Sequence, residues 1–167
     1  MKIMKLLKSI LPLLLIFVFA ASATESVLID KILIEKKARS LTLLSKGNVV
    51  KTYKIALGRN PEGAKEKEGD NKTPEGIYKI DSRKDKSAYH LALHISYPNE
   101  KDKNRAKELG VSPGGSIMIH GIKNGLGGVG SFHRWFDWTK GCIAVTNKEI
   151  EEIYKLVPNG AVVEIKP

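Results

Sequence analysis

Short apolar runs, broken by polar or glycine-rich stretches, set the pattern of the chain from about residue 27 onward. VLIDKILIEK, SLTLLS and VVKTYKIAL read as β-strands, and Lys46-Gly47-Asn48 between the last two makes the turn of a hairpin. GIYKID, HLALHIS, SIMIHG, CIAVT and the terminal AVVEIKP continue the series, while Pro61 to Lys72 and Gly121 to Ser131 read as connections. Two segments carry a helical signal instead. Thr146 is placed to cap a helix, Glu149 follows three residues on as a capping box requires, and Ile150, Ile153, Tyr154 and Val157 form one apolar stripe that Pro158 ends. A shorter helix is predicted over 102–109, stopping at Gly110. Many short strands with two modest helices predict a mainly β domain, a sandwich or a barrel.

The first 23 residues have a different pattern. Lys2, Lys5 and Lys8 precede an apolar run from Ile10 to Ala21 and then Ala21-Ser22-Ala23, the layout of a secretory signal peptide, which puts the start of the mature chain at Thr24 and one domain over 24–167. The apolar run is shorter than the roughly 20 residues of a membrane-spanning helix, so cleavage is expected and an uncleaved anchor is the alternative. The expected location is therefore the periplasm or cell envelope, with membrane contact only through this segment if it is retained. Of the 28 Lys and Arg residues three lie in the segment, with none of the 18 Asp and Glu, which leaves the mature part at a net +7. Such a charge favours anionic partners of the envelope. Nucleic acid is not expected, because the basic residues are scattered through loops rather than gathered on one face and the chain is expected to be exported.

Cys142 is the only cysteine, so it forms no internal disulfide and is an inert buried residue, an intermolecular partner or a reactive thiol. A reactive thiol needs a base or cation beside it and donors for an oxyanion. Gly141 lets a carbonyl approach the turn, and the amides of Gly141 and Cys142 are candidate oxyanion donors. The bland reading makes Cys142 a small hydrophobe opening the strand CIAVT. His120, at the end of SIMIH and followed by Gly121, and His133, in SFHRWFDW, are the histidines within reach of a shared site. His90 and His94 share one strand face but have no third ligand nearby, so structural or surface roles are expected and no metal site.

The blocks SPGGSIMIHG and DWTKGCIAVTNKEIEEIYKLVPNGAVVEI, with NKTPEGIYKI and HISYPNEKD upstream, resemble the L,D-transpeptidase catalytic domain, the YkuD-type family of cell-wall cysteine enzymes, from about Ile29 to the end. The resemblance implies a mainly β fold, a sandwich or barrel of mixed sheets with one or two short helices. It also implies Cys142 as nucleophile, His120 as general base and acid, Gly141 in the catalytic turn, peptidoglycan stem peptides as substrate and no cofactor. An envelope protein is a possible acyl acceptor. Common members read Ser-His-Gly-Cys with an arginine two residues beyond the cysteine; here the positions hold Thr139, Lys140, Gly141, Cys142 and Ala144. This form resembles a divergent branch in which some members hydrolyse rather than cross-link, so a cysteine hydrolase acting on the same wall bonds is the alternative, and a non-catalytic envelope-binding module the third reading. The 22 positions from His120 to Cys142 exceed the commonest spacing, with a glycine-rich, aromatic insert taking up the difference. In that insert Arg134 is expected to supply the cation that Ala144 lacks, Trp135 and Trp138 to wall a peptide, and His133 and Thr139 to complete the substrate side. GIKNGLGGVGS is expected to be a flap over the site and not a phosphate loop, since no Gly-Lys-Ser/Thr ending follows.

Overall fold

A computed structural model describes residues 27–167, so the signal-peptide reading of the N-terminal segment lies outside the described residues. Strands β1 (Lys31–Glu35), β2 (Ser40–Ser45), β3 (Asn48–Lys54), β4 (Gly76–Ser87), β5 (His90–Ile95), β6 (Met118–His120), β7 (Ile143–Ala144) and β8 (Val162–Lys166) form one eight-stranded sheet in the order β3-β2-β1-β8-β4-β5-β6-β7. β1 pairs with β8, and β6 with β7, in parallel; the other neighbours are antiparallel. The two ends of this order meet. Ala56, just past β3, bridges Ala144 of β7, and Gly58 bridges Thr139, so the mixed sheet rolls up towards a closed barrel. Alternation along the strands supplies the core: Ile32 and Ile34, Leu41 and Leu43, and Val163 and Ile165 all turn inward.

Helix α2 (Asn147–Leu156) begins where the sequence predicts. Thr146 accepts from Glu149 N–H, and the Glu149 carboxylate accepts from Thr146 N–H at 2.8 Å. Its stripe Ile150, Ile153 and Val157 is fully buried in the common core. Helix α1 (Glu100–Glu108) starts two residues ahead of the sequence reading, because Asn99 caps it in a reciprocal box with Asp102. Gly110, at φ 65°, ends it.

β4 runs six residues past the apolar stretch that announces it. Its polar second half pairs with apolar β5, Arg83 opposite Leu93 and Lys84 opposite Ala92. Arg83 is held there by α2: it donates to the carbonyls of Val157 (2.7 Å) and Tyr154 at the helix end, and its guanidinium lies 4.1 Å over the Tyr154 ring. β7 is shorter than CIAVT suggests, since Thr146 already belongs to the α2 cap. Within the segment expected to be a flap over the site, Gly127–Trp135 is wound into 3-10 turns that break at Gly130, φ 53°.

Candidate active site

Sheet register brings the two central side chains together. In the parallel β6–β7 pair Ile119 faces Ile143 and His120 faces Ala144, so Met118 stands opposite Cys142, and His120 and Cys142 are diagonal neighbours on one face. That face continues as a row across the sheet: Lys84 opposite Ala92, Ala92 opposite His120, His120 opposite Ala144, and Ala144 opposite Ala56. The three alanines are fully buried and make a low floor on which the larger His120 ring and Cys142 sulfur stand. Arg83, Leu93, Ile119 and Ile143 point the other way, towards α2. A cleft of about 810 Å³ opens above the row, and Tyr89, His120, His133, Trp138 and Cys142 line it.

His120 Nδ1 lies 2.6 Å from the carbonyl of Gly121. A carbonyl only accepts, so Nδ1 carries the proton and Nε2 keeps its lone pair, the tautomer a base requires. The ring is 4 % exposed, and its centroid sits 4.5 Å from that of Tyr89 and 5.8 Å from that of Trp138. Burial pushes its pKa below the usual histidine range. Burial pushes the Cys142 thiol up, against the opposing pull of the Met118 N–H and the Lys65 charge. The resting pair is therefore a neutral thiol beside a neutral imidazole, with the thiol 3.6 Å from the Ser116 carbonyl. Gly121 is required for packing: a Cβ there would lie 2.7 Å from Asn147 Oδ1 and 3.0 Å from Ile150 Cγ2.

The turn before Cys142 is fixed by Thr139. Its buried hydroxyl accepts from Gly141 N–H at 3.0 Å and donates to the Cys142 carbonyl at 2.7 Å. The expectation that both turn amides are free is thus corrected: Gly141 N–H is taken, and Cys142 N–H is the donor of the turn without a protein partner among the described residues. Gly141 itself has φ 127°, and a Cβ on it would lie 2.7 Å from the Lys72 carbonyl, so glycine is needed twice over. Asp137 pins the start of this strip. It receives two guanidinium nitrogens of Arg39 (3.0 and 2.7 Å to Oδ2) and the Leu57 N–H (2.8 Å), while Thr139 N–H bonds Leu57 O and Arg59 N–H bonds Thr139 O.

The insert residues divide. Trp138 and Thr139 line the cleft, as does His133, which is buried, accepts from the Trp138 indole at 3.4 Å and leaves Nε2 without a partner. Burial and the neighbouring Arg134 charge push the His133 pKa down to about 4. Arg134 is turned away from the cleft and ion-paired with Glu149 of the α2 cap, which ties the insert to that helix. Trp135 is 78 % exposed and packs edge-to-face on Phe132, 5.0 Å between centroids, outside the cleft lining. Tyr89, which the sequence reading passed over, is brought in by the β4–β5 turn. His90 meets Glu151 at 2.7 Å and His94 meets Asp81 at 2.6 Å. Among the described residues no group of three His, Cys, Asp or Glu side chains is arranged to hold a metal.

The L,D-transpeptidase catalytic-domain model, YkuD, matches residues 29–165. The chain belongs to this family. The L,D-transpeptidase-type protein YafK of Escherichia coli K12 is 32 % identical over 138 residues, 79 % of this chain and 48 % of YafK. Among solved structures, the helical cell shape determining protein Pgp2 of Campylobacter jejuni superposes with a TM-score of 0.62 at 26 % identity, over 86 % of this chain and 52 % of Pgp2. Bd1075 of Bdellovibrio bacteriovorus does so with a TM-score of 0.59 at 25 % identity, over 86 % and 49 %. The chain thus spans about half the length of YafK, Pgp2 and Bd1075.

Proposed function

We propose that this YkuD-family chain is an exported cell-wall cysteine acyltransferase that works on peptidoglycan stem peptides. The observation that carries the reading is the His120–Cys142 diagonal on adjacent parallel strands, with the imidazole tautomer set by the Gly121 carbonyl. In the first step His120 Nε2 takes the thiol proton as Cys142 Sγ attacks the substrate carbonyl, and Cys142 N–H faces the developing oxyanion. The C–N bond then breaks, His120 returns the proton to the departing amine, and a thioester remains. A second amine, on another stem or on an envelope protein, attacks the thioester, gives its proton to His120 and expels the thiolate, which takes that proton back and restores the neutral pair. Water in place of that amine makes the same groups a hydrolase. Export rests on the N-terminal segment 1–23, and among the described residues no helix is long and apolar enough to cross a membrane.

The test is mass spectrometry of the protein and its Cys142→Ala variant after incubation with defined muropeptides. A Cys142-dependent acyl adduct with joined products establishes the transferase. Cleaved products establish the hydrolase, and wall binding that survives Cys142→Ala, with neither adduct nor turnover in the parent, leaves a binding module.

A further inference from the structure

Among the described residues five basic ones line the cleft, Arg59, Lys84, Lys86, Lys123 and Lys140, and no Asp or Glu does. None of the five is in an ion pair among the described residues, whereas the buried or half-buried Lys36, Lys65 and Arg134 each hold a carboxylate. Five like charges around one concave surface repel one another, and an anionic ligand relieves that repulsion.

Their order across the sheet is informative. Lys84 and Lys86 stand on β4, and Lys84 lies in the same transverse row as His120, two strands away, which is about 10 Å at ordinary strand spacing. Lys123 is brought to the same side because Asn124 clamps its loop to the β4–β5 turn. Asn124 N–H bonds the Ala88 carbonyl, its amide nitrogen bonds the Ser87 carbonyl, and its oxygen accepts from His90 N–H, each at 2.9 Å. Arg59 lies beyond β7 on the opposite side, on the segment that closes the barrel, with Nε 3.2 Å from the Trp138 carbonyl. That segment is one strand spacing from β7, about 5 Å. The reacting pair therefore sits between two sets of cations on unequal arms.

We propose that the cleft recognises a peptide bearing free carboxylates on both flanks of the reacting carbonyl, one read by Lys84, Lys86 and Lys123 and the other by Arg59. This rests on the stem-peptide reading and adds which groups of such a substrate are read, and by which side chains. The hairpin set is also joined to the base, because the clamped turn carries Tyr89 against His120.

Calorimetric titration of the Cys142→Ala protein tests this without turnover. The probes are a synthetic stem peptide with free carboxylates on both flanks and two counterparts amidated on one flank or the other. The receptors are the parent, Lys84→Gln/Lys86→Gln and Arg59→Gln. Each amidation should weaken binding to the parent about two- to fivefold, the upper part of the range for exposed charge pairs. The double lysine variant should lose affinity for the free peptide and lose nothing further for the peptide amidated on the hairpin flank, with Arg59→Gln behaving the same way for the other flank. Equal losses on free and amidated peptides, or full affinity in both variants, would overturn the two-flank recognition while leaving stem-peptide binding intact. No binding of any peptide would sink the stem-peptide reading and this inference with it.

Discussion

Thr139→Val is the sharpest test of how Cys142, the proposed nucleophile, is held. The swap keeps the shape of the side chain and replaces one hydroxyl, the atom that accepts from Gly141 N–H at 3.0 Å and donates to the Cys142 carbonyl at 2.7 Å. Both backbone groups then lose their partner at a buried turn, at about 1–3 kcal/mol each when fully desolvated; the cleft admits water to one side, so about 2–4 kcal/mol is expected in total. For a domain of this length that corresponds to a fall in Tm on the order of 10 °C. Sulfur placement should suffer as well. A displacement near 1 Å costs on the order of 100-fold in rate, so thioester formation should slow by about 10- to 100-fold. Thr139→Ser keeps the hydroxyl and should recover most of both. Scanning calorimetry and the initial rate of adduct formation by mass spectrometry read the two effects. A valine variant with parental Tm and rate would refute the hydroxyl bridge, and a serine variant as damaged as the valine one would show that the hydroxyl alone does not hold the turn.

Three further outcomes follow from the same geometry. His133, held at about 4 by burial and the Arg134 charge, titrates near 6.5 once unfolded. The unfolded chain therefore takes up a proton between about pH 6.5 and 4 that the folded one refuses, and stability drops as pH falls through that window, by about 3 kcal/mol for the full shift. His120, lowered by the same cause, adds in the same direction; Tm followed from pH 7 to 4 should show a shallower slope in His133→Asn, and identical slopes would contradict the assignment. Because burial holds His120 neutral, the acid limb of kcat/KM should lie below the ordinary histidine range, and a midpoint at or above 6.5 would overturn a neutral base. Arg134→Met breaks the partly buried pair with Glu149 and frays the α2 cap, so urea denaturation should show a loss of about 1–3 kcal/mol, with an unchanged midpoint counting against the tie.

What the sequence made legible was local. The α2 stripe and its Thr146–Glu149 box are contained in a dozen residues, and most strand runs kept their places because their apolar residues alternate against one core. The second half of β4 was not readable, since Arg83 and Lys84 are polar and join the sheet only because β5 and the end of α2 offer them partners. Nor was barrel closure: Ala56 and Ala144 are unremarkable alone, and the Arg39–Asp137 clamp spans 98 positions. In the site, His120 and Cys142 were found through a motif, whereas Tyr89 had no local signal because its contact with His120 depends on how the hairpin turn is clamped. Arg134 and Trp135 were expected near the substrate on proximity along the chain. The 3-10 turns aim them elsewhere, one to Glu149 and the other to the surface.

The His120-to-Cys142 spacing has a topological minimum. Parallel strands cannot be joined by a tight hairpin and need a crossover of a dozen or more residues, and β6 and β7 are parallel. Residues 121–141 are that crossover, and most of it is 3-10 turns and loop. Some of its residues hold the crossover down and others face the cleft it roofs, while Phe132 and Trp135 stand out on the surface. Ile122, Arg134 and Asp137 do the first, through Asn147, Glu149, and Arg39 and Leu57. His133, Phe136 and Trp138 do the second. The insert can therefore vary in length without moving His120 or Cys142, provided that its two ends, the Ile122–Asn147 bond and the Asp137–Thr139 strip, keep the β6–β7 register in which these two side chains are diagonal neighbours.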